Sequence, residues 1–384
     1  MPVNFENAVS PSIDYGHFEY AAIIIGSGCS NEKDAKAGVA WTQNAHPIFA
    51  QAPVCTTEFE GGNLRLRNQK NDRLTSVDDI VAGGRALIAV LSGDGVTSRV
   101  GQDIAVTEHA LQVRTEERSA LLAEGFGNGN VLQNILNGAK GIRRPSQLIS
   151  PEIAEMQDVP LIEIEINGET QYAVLGFGVG AIGEGARDLN AGKHRRAFGY
   201  NNDVIRTIVH EGRMGVRLSE KVKDGKIFVR KSNGKDPSSP QYEEELLVSR
   251  DYANGPLLAK HIVFPGQRLD SRSLRILTLK NPLELPLWTW GAQTDTWSRE
   301  VLKEGEEDIF CLLTDTDAHF DGNHRVIDAG STVKVRVSKL GFMAVANINA
   351  RVTRPQIPLA AAVTTMVTSL PTKRQVGFLL NPLR

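Results

Sequence analysis

The chain has 384 residues, with 43 Lys and Arg against 45 Asp and Glu and a formal net charge of −2. That balance argues against a general binder of nucleic-acid backbones, which is usually basic. Hydrophobic residues make up 41% and charged residues 23%, an ordinary globular composition. No apolar run approaches the ~20 residues of a membrane span. The N-terminus lacks a basic segment ahead of an apolar core, and Cys29, Cys55 and Cys311 form no CxxC pair. A reducing, cytoplasmic setting is therefore expected. At about 100–200 residues per domain, the length predicts two domains.

Up to residue 150 the chain alternates strand and helix signals. Ala21–Ile25 (AAIII) is a buried-strand run, and NEKDAKAGVAWTQNA after it reads as a helix. IFAQAPVCTT offers a second strand. TSVDDIVAGG opens a helix: Thr75 or Ser76 can cap it, and Asp78 and Asp79 lie in the first turn, where the helix dipole favours them. ALIAVL, from Ala86 to Leu91, is another continuous apolar run. Such runs with helices between them predict a mostly parallel sheet covered on both faces.

The run ends in Ser92-Gly93-Asp94-Gly95, and Val96, Val100 and Ile104 follow at helical spacing. A glycine turn from strand to helix lets backbone N–H groups approach a phosphate, and the helix N-terminus adds partial positive charge. AEGFGNGNVLQNIL repeats the arrangement, with Gly127-Asn128-Gly129-Asn130 ahead of Val131 and Ile135. Taken singly, each reads as a tight turn or a capped helix entry. Two in one α/β half can line one crevice at the carboxyl ends of the strands. Gly26-Ser27-Gly28 lacks the third glycine of a dinucleotide fingerprint, and no GxxxxGK[ST] is present.

Beyond Pro151 the texture changes. LIEIEI alternates strictly, meets Asn167-Gly168, and continues as ETQYAVLGFG. Asn-Gly between strand patterns signals a hairpin, because both residues tolerate positive φ. RLSEKVK, Asp224-Gly225 and KIFVRK repeat the pattern, and RILTLK, DIFCLLTD and STVKVRVSK are further strands. A mostly antiparallel second half follows, with a helical interruption from Gly183 to Val209 and a polar loop from Lys231 to Glu245. Trp288, Trp290 and Trp297 read as core or a domain seam, and Lys193–Arg196 as a solvated basic face. His319, Asp321 and His324 cluster locally, with no further His or Cys at zinc-like spacing.

SGDG followed by GNGN resembles the catalytic domain of diacylglycerol kinases, sphingosine kinases and related bacterial lipid kinases, with NAD kinases as more distant relatives. TTEFEGG (Thr56–Gly62) is similar to that family's T-x-x-x-G segment. YAVLGFGVGAIGEGARDLNAGKHRRAFGYNNDVIRTI resembles its N-x-x-x-x-G-x-x-A stretch and the basic helix after it. HIVFPGQRLDSRSLRILTL resembles its P-x-A-x-x-D-D-G-x-L-D-V strand region. AHFDGNHRVIDAGSTVKVRVS resembles its late D-G-E element. The matches fall in order from about residue 20 to 345.

The resemblance implies an α/β plus β architecture. Residues 1–150 would form a three-layer α/β nucleotide-binding domain with a mostly parallel sheet. Residues 151–345 would form an antiparallel β-sandwich carrying the acceptor site, and residues 346–384 would return to the first domain. It implies ATP in the cleft and Mg²⁺ bridging its phosphates. The acceptor would be a hydroxyl of a lipid such as diacylglycerol or a sphingoid base, reached by transient contact with a membrane surface. Asp94 is implied as the group activating that hydroxyl, in a reaction that asks mainly for positioning and charge neutralisation. Ser92, Gly93, Gly95, Gly127, Asn128, Gly129, Asn130 and Thr57 are implied nucleotide contacts. Asp321 would be a second catalytic carboxylate and metal ligand, and Glu184 an acceptor-site residue.

The chain departs from the family at several places. Val96 stands where bacterial members carry Thr, Asn128 where Thr or Ser is common, Val131 where many carry Asp, and Asn323 where D-G-E ends in Glu. IGSGCSNEK (Ile25–Lys33) replaces the first-strand signature. Fewer carboxylates keep a second reading open: a nucleotide-binding sensor or scaffold with little or no transfer. An NAD kinase-like enzyme is a third reading, which GNGN fits less well.

Overall fold

A computed structural model of the protein describes residues 15–27, 32–60, 63–125, 131–137, 154–190, 227–232, 244–255, 257–258, 261–262, 268–280 and 298–347. In chain order the elements begin β1 (Tyr20–Ile25), α1 (Glu32–Ala45), β2 (Val54–Glu60), β3 (Asn63–Asn68), β4 (Leu74–Thr75), α2 (Val77–Ala82), β5 (Ala86–Ser92), α3 (Asp94–Ala110), β6 (Ala120–Gly125) and α4 (Val131–Asn137). There follow β7 (Ala154–Ile166), β8 (Glu169–Ala173), β9 (Gly176–Gly180), α5 (Ala181–Asn190), β10 (Ile227–Ser232), β11 (Glu244–Leu247), β12 (Ser249–Ala253), β13 (Leu257–Leu258) and β14 (His261–Ile262). Last come β15 (Ser273–Leu279), β16 (Ser298–Lys303), β17 (Glu307–Leu312), β18 (Thr316–Phe320), β19 (Asn323–Ile327) and β20 (Thr332–Asn347). The chain divides into two units, and among the described residues it passes between them inside β7 after Leu161, again after Ser271, and inside β20 after Val337. Among the described residues no helix is long and apolar enough to cross a membrane.

In the first unit the strand order is β20-β6-β5-β1-β2-β3-β4. β6, β5, β1 and β2 run parallel, as do β20 and β6, while β3 and β4 close the edge antiparallel. The apolar runs behave as fully covered parallel strands should: every residue of β5 and β6 is buried. Ile23, Ile25, Leu87, Leu91 and Leu122 pack with Ala35 of α1 and with Phe49. Of the two candidate caps, Ser76 is the one used. Its hydroxyl accepts the Asp79 N–H at 3.1 Å, and the Asp79 carboxylate accepts the Ser76 N–H at 2.9 Å. This reciprocal box stabilises the start of α2 by about 1 kcal/mol.

In the second unit six antiparallel strands run in the order β16-β15-β12-β9-β18-β19. Phe177, Tyr252, Ile276 and Phe320 from this sheet meet Ile164, Phe310, Leu312 and Val333 from β7, β17 and β20 in one core. The unit is thus a β-sandwich. Asn167-Gly168 turns β7 into β8 with φ of 51° and 88°. Asp321-Gly322 turns β18 into β19 with φ of 50° and 82°. Inside the sandwich lies a buried charge. The Arg250 guanidinium meets Asp308 Oδ2 at 2.5 Å, Thr278 Oγ1 at 2.8 Å and Glu300 at 3.1 Å, and Asp308 also accepts the Tyr252 hydroxyl at 2.5 Å.

β9 carries glycine at every second position, so one of its faces has no side chains: Gly176, Gly178 and Gly180. Asp251 and His319 flank Gly178 in register, and their side chains pair across it at 3.0 Å. A Cβ at Gly178 would lie 1.8 Å from Asp251 Oδ1. α5 then packs on β18, where a Cβ at Gly183 would lie 2.5 Å from the Asp317 carbonyl oxygen.

Several sequence features lie outside the described residues. They are Gly127, Asn128, Gly129 and Asn130, the Asp224-Gly225 turn, the helical stretch after Asn190, the basic run Lys193–Arg196, most of the polar loop after Ser232, Trp288, Trp290 and Trp297, and the chain beyond Asn347.

Candidate functional site

The first unit brings its glycine turns together at the carboxyl ends of the parallel strands, where ligands bind in open α/β sheets. Register places Ile25 beside Leu91 and Thr56, and Ser92 beside Gly125. Ser92 is the buried last residue of β5, and Gly93 is the N-cap of α3. Gly93 has extended backbone (φ −83°, ψ 172°) and supplies no side-chain cap. The first-turn N–H groups of α3 therefore lack the oxygen that a Ser or Asp N-cap would offer, which suits an anionic ligand. Among the described residues, a Cβ on Gly95 would meet nothing within 4 Å. Thr97 turns away: its hydroxyl donates back to the Gly93 carbonyl at 3.0 Å.

β1 contributes Gly26 and Ser27. Gly26 is bare by necessity, since its Cβ would lie 1.8 Å from Ser92 Oγ. The Ser27 N–H donates to Thr57 Oγ1 at 2.8 Å, and the two hydroxyls stand 3.1 Å apart. Thr57 is buried and braces the turn after β1 from β2.

Asp94 is the first residue of α3, and its Oδ1 accepts the N–H of Leu132 at 3.1 Å. Leu132 is the second residue of α4, so this carboxylate fills one of the orphan donors at that helix start. One side chain thus ties the Ser92–Gly95 turn to the helix that the second glycine segment leads into.

Asp321 and Glu184 belong to the second unit. Asp321 sits at the tip of the β18–β19 hairpin and turns its carboxyl group inward. There it accepts N–H groups from Val174 at 2.8 Å, Leu175 at 2.6 Å and Gly176 at 3.0 Å. Burial pushes this carboxyl above the ordinary range, and the three donors oppose that shift. Asn323, the position of the missing Glu, is exposed at the start of β19. Glu184 lies in the first turn of α5 and accepts from Arg187 at 2.9 Å. Arg187 also grips Asp317 at 3.0 Å, and Asp317 takes His324 at 2.6 Å. The Glu184 charge is therefore countered locally.

Among the described residues, no group of three or more His, Cys, Asp or Glu side chains is placed to hold a metal ion. A groove of about 560 Å³, bordered by Glu19, Arg85, Glu108 and Ser119, lies at the opposite, amino ends of β5 and β6. It is unconnected with the glycine turns. Sequence reasoning undervalued Gly26 and Ser27, whose only signal was glycine at a strand end. It missed the Leu132 N–H, which no side-chain pattern can mark.

No protein-family model matches the chain, and no curated protein matches it. Solved structures do. The chain is similar to a protein described as a "putative diacylglycerol kinase" from Bacillus anthracis str. Sterne, with 15% identity over 86% of this chain and 98% of that one and a TM-score of 0.54. A second structure with the same description and source aligns at 15% identity over the same shares, with a TM-score of 0.53. The chain therefore shares its fold with these kinase structures: an α/β unit with a mostly parallel sheet and an antiparallel β-sandwich unit.

Proposed function

We propose that the chain is a phosphotransferase. It takes ATP, with magnesium, at the carboxyl ends of β1, β2 and β5, and passes the γ-phosphoryl group to a hydroxyl of a lipid such as diacylglycerol or a sphingoid base. One observation carries the reading: an uncapped helix N-terminus meets Gly26 and Ser27 at the carboxyl ends of the parallel strands, in a fold shared with structures described as "putative diacylglycerol kinase". Bound ATP supplies the phosphoryl group, and magnesium supplies charge neutralisation. The N–H groups after Gly93 receive phosphate oxygens. Ser27, held by Thr57, fixes the opposite wall. Asp94, its Oδ1 fixed by Leu132, orients the acceptor hydroxyl and takes its proton. The described residues build no protein cage for magnesium, so the ion would be held largely by phosphates and water, as is usual for this cation. Reaching a lipid acceptor requires transient contact with a membrane surface.

A specific observation favours the second reading, a nucleotide-binding sensor with weak or no transfer. Both catalytic candidates, Asp94 and Asp321, spend carboxylate oxygens on backbone N–H groups. The test is transfer of labelled phosphate from ATP to diacylglycerol or sphingosine in mixed micelles, with Asp94→Asn alongside. The kinase reading expects turnover that falls by about 10²–10⁴-fold in the variant. ATP binding without transfer selects the sensor. Phosphorylation of NAD instead selects the NAD kinase-like alternative. Failure to bind any nucleotide rejects all three.

A further inference from the structure

Glu124 is the penultimate residue of β6, three positions ahead of Gly127, and its side chain is 1% exposed. It lies beside Leu91 of β5, on the strand face that carries Leu122 into the apolar cluster under α1. One hydroxyl meets it there. Thr42 Oγ1 stands 3.0 and 2.9 Å from the two Glu124 oxygens, and 3.0 Å from the carbonyl oxygen of Gly38.

That hydroxyl has a single proton. With Glu124 ionised, three acceptors would compete for it, and a charge would keep at most one hydrogen bond in apolar surroundings. With Glu124 protonated, the acid donates to Thr42 and Thr42 donates to Gly38, so both donors are used. Burial acts the same way, pushing Glu124 up to about 8 against the opposing Thr42 hydrogen bond. Among the described residues no charged side chain acts on it. The buried stripe of α1 continues to His46, whose Nδ1 is bonded to the Tyr15 hydroxyl, and the strand neighbours are apolar.

The placement gives the contact its meaning. α1 follows the Gly26–Ser27 turn, and β6 leads into the second glycine segment. We propose that Glu124 is a positioning residue, carried as a neutral acid, that fastens the carboxyl end of β6, beside Ser92, to the last turn of α1, the helix that follows the Gly26–Ser27 turn. Its ionisation loosens the site's grip on nucleotide. This rests on the nucleotide reading above.

Three measurements test it. The infrared carbonyl band of a protonated carboxylic acid should be present in the native protein at neutral pH and absent from Glu124→Gln. ATP calorimetry should show wild-type affinity falling about tenfold or more between pH 7 and 9. Glu124→Gln, whose amide N–H also donates to Thr42, should hold its neutral-pH affinity across that interval. Without nucleotide, wild-type melting temperature should decline from pH 4.5 to about 8 and then level, because the native state keeps a proton that the unfolded chain has released. Glu124→Gln should lack that decline. A wild-type protein without the acid band, or with the same alkaline course as Glu124→Gln, overturns the proposal. Absence of ATP binding at every pH overturns the nucleotide reading and the grip with it, while the band and the melting curves still report Glu124 separately.

Discussion

Replacing Gly26 by alanine puts a methyl group where β1 and β5 leave no room. Its carbon would lie 1.8 Å from Ser92 Oγ and 2.7 Å from Ser92 Cβ, and the next atom, Ser92 Cα, stands at 3.6 Å. Carbon contacts settle near ~3.5–4.0 Å, so the two strand ends must part by more than ~1 Å. Overpacking of this kind costs about 1–3 kcal/mol. Against it, Gly→Ala at negative φ gains about 0.4–1 kcal/mol by restricting the unfolded chain. The expected net loss is about 1–2 kcal/mol. Ser92→Gly removes both clashing atoms, so Gly26→Ala/Ser92→Gly meets only the 3.6 Å contact. A double-mutant cycle by urea unfolding should therefore return a favourable coupling of about 1–3 kcal/mol. ATP binding should follow the same order: lost in Gly26→Ala and recovered in the double variant. A Gly26→Ala protein as stable as wild type, or a double variant no better than Gly26→Ala, refutes the close approach of β1 and β5.

Three further outcomes are expected. Asp94→Asn keeps an oxygen for the Leu132 N–H, whereas Asp94→Ala strips the cap from α4 and costs about 1–2 kcal/mol in thermal melts; equal melting of the two counts against a capping role. Asp321→Ala removes the acceptor of three N–H groups and should cost about 2–4 kcal/mol, with Asp321→Asn intermediate; urea midpoints decide. Asp308→Ala leaves the Arg250 charge buried without its main partner and should cost about 3–5 kcal/mol, while Arg250→Met with Asp308→Leu, which leaves the buried Tyr252 hydroxyl without these partners, should recover part of that loss. If the pair of substitutions is as damaging as Asp308→Ala alone, the loss is one of packing and not of charge.

The extent to which the sequence announced this structure differs by element. β5 was plain because a strand covered on both faces needs apolar residues at every position, and ALIAVL supplies them. The Asn167-Gly168 turn was plain because positive φ restricts the choice of residue. Two of the passages between units were not: they fall inside β7 and β20, where the strand runs on and composition leaves no mark. The site divides in the same way. Ser92–Gly95 stood out as a local pattern, but the partners of its neighbourhood are remote in the chain. Leu132 lies 38 positions from Asp94, and Thr42 lies 82 from Glu124. A carboxylate at a strand end looks alike in sequence whether it meets water, a backbone N–H or a buried hydroxyl.

The bare contact between Gly183 and the Asp317 carbonyl makes α5 a keyed part. A shift of one residue along the helix axis would drive a side chain into the β18 backbone, and the Arg187–Asp317 pair sets a second peg one turn further on. The helix, which carries Glu184, cannot slide along the sheet. Insertion or deletion of a single residue between Gly180 and Gly183 would throw the key out of its slot, so length in this segment is constrained more tightly than residue identity.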